Sequence, residues 1–276
     1  MNIINKIFFF NILIIIIHFI KIYYFIKSGK YQINNNITSL LYKNGKNYLF
    51  NNSNKIIIYS ALFGNYDTLK TINKQNQFDY ILFTDILIKK KTNWTVLKIP
   101  NFVNKLNMSV FKKQRFIKLH PHLFFKNYEL SIYIDTTFFI LGNITEFLER
   151  LITPKFDIYI FEHPYRNCIY TEVYAVILHK KEKPDIALNI KNRYNKTKFP
   201  TQFGLSENYL IVRKHNNKNS INLMEKWWEE IQKYSKRDQL SLSYVLWKTK
   251  IKIKYISKQF GLYYFRQNIR HLKRIT

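Results

Sequence analysis

The chain has a single cysteine, Cys168, in 276 residues, so no intrachain disulfide can form and cysteine usage does not specify a redox compartment. Glycine is nearly as scarce. The six glycines stand isolated, and none builds a Gly-x-Gly-x-x-Gly or Gly-x-x-x-x-Gly-Lys loop, which argues against a Rossmann oxidoreductase or a P-loop NTPase. No Gly-x-Ser-x-Gly elbow is present, which weakens a serine hydrolase. Acids are few: 17 Asp and Glu face 45 Lys and Arg, a formal charge of +28. That excess suggests anionic partners such as phosphates or an acidic membrane surface. The lysines are spread along the chain, without a basic helix, zinc-finger spacing or aromatic-basic RNA signature, so no nucleic-acid partner is expected. Asn, Ile and Lys saturate the sequence, as AT-rich codons would dictate, and lysine abundance alone defines no binding face. No internal repeat is visible.

Apolar residues are abundant: 47% of the chain is hydrophobic and 17% aromatic, which excludes a disordered polypeptide. The length suits one large domain or one domain with an appendage. Residues 7–26 are the most apolar stretch, and 20 residues of helix would span roughly 30 Å, the thickness of a hydrocarbon core. Lys21 lies near one end, where it can snorkel, and no small-residue cleavage site follows. Residues 1–30 are therefore expected to be a retained, single-helix membrane anchor, the alternative being a helix packed on the soluble domain or lying in the interface. Lys21, Lys27 and Lys30 outnumber Lys6 across the segment and favour a cytosolic domain, an external or lumenal one staying open. Residues 31–54 are Asn-rich without a sustained period and read as a linker, leaving 55–276 as the main domain.

In that domain, apolar β-prone runs alternate with helical patterns. Strands are expected at Lys55–Leu62, Phe78–Thr84, Trp94–Pro100, Ser131–Ile140, Phe156–Phe161 and Asn208–Val212, with a half-buried one over residues 250–255. Helices are expected within Met108–His122, over Ile144–Leu151, across Thr171–Tyr194 with a break at Pro184, from Ile221 to Tyr234, and from Ser235 to Trp247. Trp227 and Trp228 fall at helical spacing and read as core rather than a ligand platform. The alternation predicts an α/β fold with a mainly parallel central sheet and helices on both faces.

Such sheets bind ligands beyond the carboxyl ends of their strands. Chemistry-bearing residues at predicted strand ends are Asp67, Asp85, Asp135, His163, Arg166, Glu172, Glu207, Arg213 and Asp238. Asp135 interrupts the apolar run Ser131–Ile140, and a carboxylate there costs several kcal/mol unless it is paired, metal-bound or at the strand's end. It could equally cap a turn. Ser235 precedes Asp238 by three residues, the spacing of a helix capping box, and a carboxylate so placed could also act as a general base.

Five motifs occur in order: Tyr59-Ser-Ala-Leu-Phe63-Gly64-Asn-Tyr66-Asp67, Phe83-Thr-Asp85, Tyr133-Ile-Asp135, His163-Pro-Tyr-Arg166-Asn-Cys-Ile-Tyr-Thr-Glu172, and Arg237-Asp238-Gln-Leu-Ser241. Together, from about Lys55 to Lys248, they resemble the TOD1/MUCI70 glycosyltransferase-like domain family, which is similar to GT-A glycosyltransferases. The resemblance implies a nucleotide-sugar donor, a glycan, lipid or protein acceptor, and a divalent metal, Mn²⁺ or Mg²⁺. It puts Tyr59, Phe63, Gly64, Tyr66, Asp67 and Asp85 around the nucleoside, and Lys112 and Arg115 against the diphosphate. It puts Asp135 on the metal, with Thr137 where a second motif Asp would stand. His163, Arg166 and Asp238 would be catalytic, and Glu172, Glu207 and Arg213 would face the acceptor. A family association with ceramide hydrolysis offers a rival, a metal-dependent lipid hydrolase, for which only His120 and His122 lie close in sequence. A non-catalytic binding protein that keeps the fold is the other rival.

Overall fold

The computed structural model describes residues 55–64, 69, 71–88 and 92–267; the expected anchor and linker, and Tyr66 and Asp67, lie outside them. The strands are β1 (Ile56–Leu62), β2 (Asp79–Thr84), β3 (Thr95–Lys98), β4 (Leu130–Ile134), β5 (Phe138–Ile140), β6 (Ile158–Glu162), β7 (Ser206–Arg213), β8 (Lys254–Ile256) and β9 (Phe265–Gln267). The helices are α1 (Asn101–Asn104), α2 (Val110–Leu119), α3 (Pro121–Phe124), α4 (Ile144–Leu151), α5 (Ile169–Leu178), α6 (Pro184–Lys196), α7 (Lys218–Lys233), α8 (Leu242–Thr249) and α9 (Lys258–Tyr264). A 3₁₀ turn, Asp238–Leu240, precedes α8.

Seven strands form one sheet in the order β3-β2-β1-β4-β7-β6-β8. Neighbours pair in parallel except at β7, which runs antiparallel to both β4 and β6. The sheet is thus mainly parallel, as the alternating pattern predicts. Its central strands are buried on both sides, so their sequences are continuous apolar runs. On one face Ile58, Leu82, Ile132 and Val212 pack with Phe147 and Leu148 of α4 and Tyr264 of α9. On the other, the Tyr59 hydroxyl donates to the Lys118 carbonyl of α2, and Arg213 reaches the Met224 sulfur of α7. Trp227 and Trp228 are core residues, as their spacing predicts.

The structure corrects several boundaries. The run Ser131–Ile140 is not one strand: β4 stops at Ile134, and Asp135–Thr136–Thr137 make a turn closed by the Phe138 N–H on the Asp135 carbonyl at 3.0 Å. β5 then leaves the main sheet and pairs antiparallel with β9. The strand expected over residues 250–255 shrinks to Lys254–Ile256. The helix expected from Ser235 begins only at Leu242, and the capping box does not form. Ser235 Oγ instead accepts the Arg237 N–H at 2.9 Å, because Asp238 is drawn inward by cations of α2.

Candidate functional site

Ile58 lies beside both Tyr80 and Ile132, and this shared register brings the carboxyl ends of β1, β2 and β4 out at one edge. Gly64, Asp85 and Asp135 therefore gather there. Gly64 adopts φ +70°, a left-handed conformation costly for other residues, and an added Cβ would lie 3.1 Å from Val110 of α2. Its N–H donates to Asp85 Oδ1 at 3.0 Å, tying the turn after β1 to the end of β2.

Asp135 ends β4, half-buried, its N–H bonded to the Tyr209 carbonyl at 2.8 Å. Its Oδ1 accepts the Tyr133 hydroxyl at 2.7 Å and Gln114 Nε2 at 3.3 Å. Gln114 in turn accepts from Arg115, so one chain of contacts links the carboxylate to α2. Among the described residues the other carboxylate oxygen takes no hydrogen bond. The Asp135 main chain thus closes the turn, while its carboxylate is held by Tyr133 and by Gln114 of α2.

Behind this edge lies a buried charge cluster. Asp238, 3% exposed, receives Lys118 Nζ at 2.7 Å and Arg115 Nε at 3.2 Å on the same oxygen. Burial opposes its charge, but Arg115, Lys118 and Arg237 together outweigh burial and hold the carboxyl well below the usual carboxylate range. Such a carboxylate has little affinity for a proton, so Asp238 is corrected from general base to the counter-ion of α2. Burial lowers the pKa of Lys118, against the pull of Asp238. Arg237 is influenced by Asp238 and Arg115 and, beyond them, by Glu172 and Glu182. Lys118 is the functional candidate that sequence reasoning missed, because nothing local separates one lysine among 45 Lys and Arg.

Farther along the edge, His163 follows β6. Its Nδ1 accepts the N–H groups of Tyr165 at 3.2 Å and Arg166 at 3.1 Å. Its Nε2 lies 3.0 Å from Arg166 Nη2, a guanidinium nitrogen that can only donate, and 3.8 Å from Glu172. Burial and the Arg166 charge push its pKa down to about 4, so the ring is neutral at neutral pH. Arg166 Nε holds Glu172 at 2.6 Å. Glu172 is buried and turned inward against Arg166, which corrects its expected acceptor-facing role.

Other expected contacts are also corrected. Tyr59 and Arg213 are both fully buried and bond to one another across the sheet, where neither donor nor acceptor can reach them. Phe63 is buried in the core. Lys112 Nζ donates to the Gln232 carbonyl at 2.8 Å, near the carboxyl end of α7, where the helix dipole favours a cation. Glu207, the second residue of β7, lies opposite Phe161, half-buried, and among the described residues its carboxylate takes no hydrogen bond or ion pair.

His120 and His122, the only nearby pair for a metal hydrolase, lie past the end of α2 and both turn to Glu225, at 3.5 and 3.2 Å. Among the described residues no group of three or more His, Cys, Asp or Glu side chains is arranged to hold a metal. An ion at Asp135 would therefore need most of its ligands from a bound donor.

A mainly parallel sheet flanked by helices makes this an α/β domain, with polar and charged residues at the carboxyl edge of the sheet. The chain matches the family described as TOD1/MUCI70, glycosyltransferase-like domain, over residues 25–273, and it belongs to that family. The match begins ahead of Lys55 and extends past Lys248, wider than the span of the five motifs. No curated protein matches the chain. Among solved structures, the WbbM bifunctional glycosyltransferase in its apo form is similar over 76% of this chain and 40% of its own, at 10% identity and a TM-score of 0.45. The chain thus spans 40% of the length of WbbM. Mouse xyloside xylosyltransferase 1, also apo, is similar over 73% of this chain and 84% of its own, at 11% identity and a TM-score of 0.42.

Proposed function

We propose that this chain is a glycosyltransferase that binds a nucleotide-sugar across the carboxyl ends of β1, β2 and β4 and transfers the sugar to a hydroxyl of a glycan, lipid or protein. The observation that carries the reading is Asp135 at the carboxyl end of β4, oriented through Tyr133 and Gln114, with the buried Arg115, Lys118 and Arg237 cations around Asp238 behind that edge. Arg115, Lys118 and Arg237 set three positive charges beside Asp238 and Asp135, with Glu172 and Glu182 also acting on Arg237. A transferase needs such a field where the nucleoside diphosphate leaves, because negative charge develops on the departing oxygen.

Asp135 would hold a divalent ion, with phosphate oxygens supplying further ligands, since Mg²⁺ commonly takes one or two carboxylates plus substrate phosphates. When bound, that ion would neutralise charge on the leaving diphosphate. Gly64 and Asp85 would border the nucleoside. Residues 7–26 would anchor the domain to a membrane; the full chain should then pellet with membranes and enter solution only with detergent, and recovery in the soluble pool without detergent would refute the anchor. Among the described residues no helix is long and apolar enough to cross a membrane.

The test is a panel of nucleotide-sugars offered to the full chain with and without Mn²⁺, scoring released nucleoside diphosphate and thermal shift. Release from at least one donor is expected. A shift without release would overturn the proposal in favour of a non-catalytic binding protein, and the absence of both shift and release would overturn it outright.

A further inference from the structure

The charged groups at the carboxyl edge are almost all engaged. Asp85 accepts the Gly64 N–H, Asp135 accepts Tyr133 and Gln114, Glu172 is held by Arg166, and Asp238 by Lys118 and Arg115. Glu162, at the end of β6, is exposed and needs no partner. Glu207 differs from all of these. It is half-buried, yet no hydrogen bond or ion pair compensates its carboxylate among the described residues. An acid taken partly out of water without a partner costs stability, and such uncompensated groups gather at functional sites.

The position of Glu207 is fixed by topology. β7 runs antiparallel to β4 and β6, so its first residues emerge at the edge where its neighbours end. Ser206 pairs with Glu162 and Glu207 with Phe161, while two residues on the Tyr209 carbonyl receives the Asp135 N–H. The antiparallel strand therefore brings Glu207 to the same edge as Asp135. Its charged surroundings come from every neighbouring element: Lys258 from α9, Lys181 from the segment after α5, Glu172 from α5, Arg166 from the turn after β6, and Tyr209 on its own strand.

We propose that Glu207 is the carboxylate that takes the proton from the attacking hydroxyl. This rests on the glycosyltransferase reading above. As the acceptor oxygen bonds to C1 of the donor sugar, its O–H bond breaks and the proton passes to Glu207. The C1–O bond to the diphosphate breaks at the same time, its electron pair leaving with the nucleoside diphosphate, and Glu207 later releases the proton to solvent. Burial raises the pKa of Glu207, partly offset by Lys258 and Lys181, which makes it a stronger base than an exposed carboxylate. Asp238, displaced in the opposite direction, is unsuited to the role.

The experiment compares wild type, Glu207→Gln and Glu207→Asp in the full chain, with water as the acceptor and the donor panel above as substrates. Nucleoside diphosphate release by Glu207→Gln should fall by about a hundred- to ten-thousand-fold, the usual contribution of a general base. Binding of UDP or GDP by calorimetry should be unchanged, and the melting temperature unchanged or higher. Wild-type release should rise with pH through the Glu207 titration, and that limb should vanish in Glu207→Gln and return in Glu207→Asp. Wild-type rates in Glu207→Gln would overturn the assignment alone, leaving the transferase reading intact. An equal loss of nucleotide binding or of melting temperature would also overturn it, by showing a structural role. A wild type that releases nothing from any donor refutes the transferase reading itself.

Discussion

Asp238→Asn separates the two roles that the sequence allows this residue. The substitution keeps the shape and leaves the main-chain carbonyl, which accepts the Trp227 indole N–H at 3.1 Å, untouched. It removes the carboxylate that Lys118 and Arg115 contact at 2.7 and 3.2 Å. Lys118 is 1% exposed, and its Nζ also lies 5.1 Å from the centroid of the Tyr133 ring. Stripping one partner from a buried pair costs about 3 to 5 kcal/mol, because the surviving charge has no water to return to. At roughly 2 to 4 °C per kcal/mol for a domain of this size, the melting temperature should fall by about 6 to 20 °C at pH 7. The pH dependence has a definite sign. The folded pKa of Asp238 lies below its unfolded value, so its contribution is complete above about pH 4 and is lost as pH falls further. The gap between wild type and variant should therefore hold constant from pH 5 to 8 and narrow only in strong acid. Adding Lys118→Met should recover part of the loss, since no orphaned ammonium remains. Thermal melts followed by circular dichroism supply the numbers. A variant that melts within about 2 °C of wild type but has lost turnover would refute the counter-ion role and restore the general base.

Asp135→Asn should weaken binding of UDP or GDP in the presence of Mn²⁺ while leaving the melting temperature unchanged or slightly raised, since the carboxylate is half-buried and only its Oδ1 is engaged. Calorimetric titration with Mn²⁺ and with EDTA decides it, and wild-type binding indifferent to chelation, together with an unchanged variant, would remove the metal from Asp135. Gly261→Ala should destabilise the fold, although alanine gains about 1 kcal/mol in a helix interior. The new Cβ would fall 1.6 Å from Cε1 of Phe161, and relieving that overlap in a packed core costs more than the propensity gains. A melting temperature at or above wild type would show that Phe161 can move aside.

Local sequence was sufficient wherever one segment's own pattern decides its structure. The apolar runs of β1, β2 and β4 are strands because a strand buried on both faces has to be apolar throughout. The amphipathic period of Ile144–Leu151 is a helix, and Pro184 breaks the next helical stretch because proline lacks the N–H that a helix interior needs. Asp85 and Asp135 could be placed at strand ends for the same reason: an ionised carboxylate does not persist inside such a run. The family was legible too, since its motifs are contiguous. What lay beyond the sequence depends on partners far along the chain. Lys118 and Asp238 are 120 residues apart, and neither side chain's inward direction leaves a local trace. Tyr59, which the resemblance put at the nucleoside, and Arg213, a strand-end candidate, are separated by 154 residues and proved to be a buried pair. The split of Ser131–Ile140 follows from β5 finding β9, a choice made by pairing energy and not by propensity. The reversal of β7 was likewise unreadable, because parallel and antiparallel strands share one composition. That reversal is what carries Glu207 to the edge beside Asp135, so the candidate site is a product of tertiary pairing even though each of its residues sits in an unremarkable stretch of sequence.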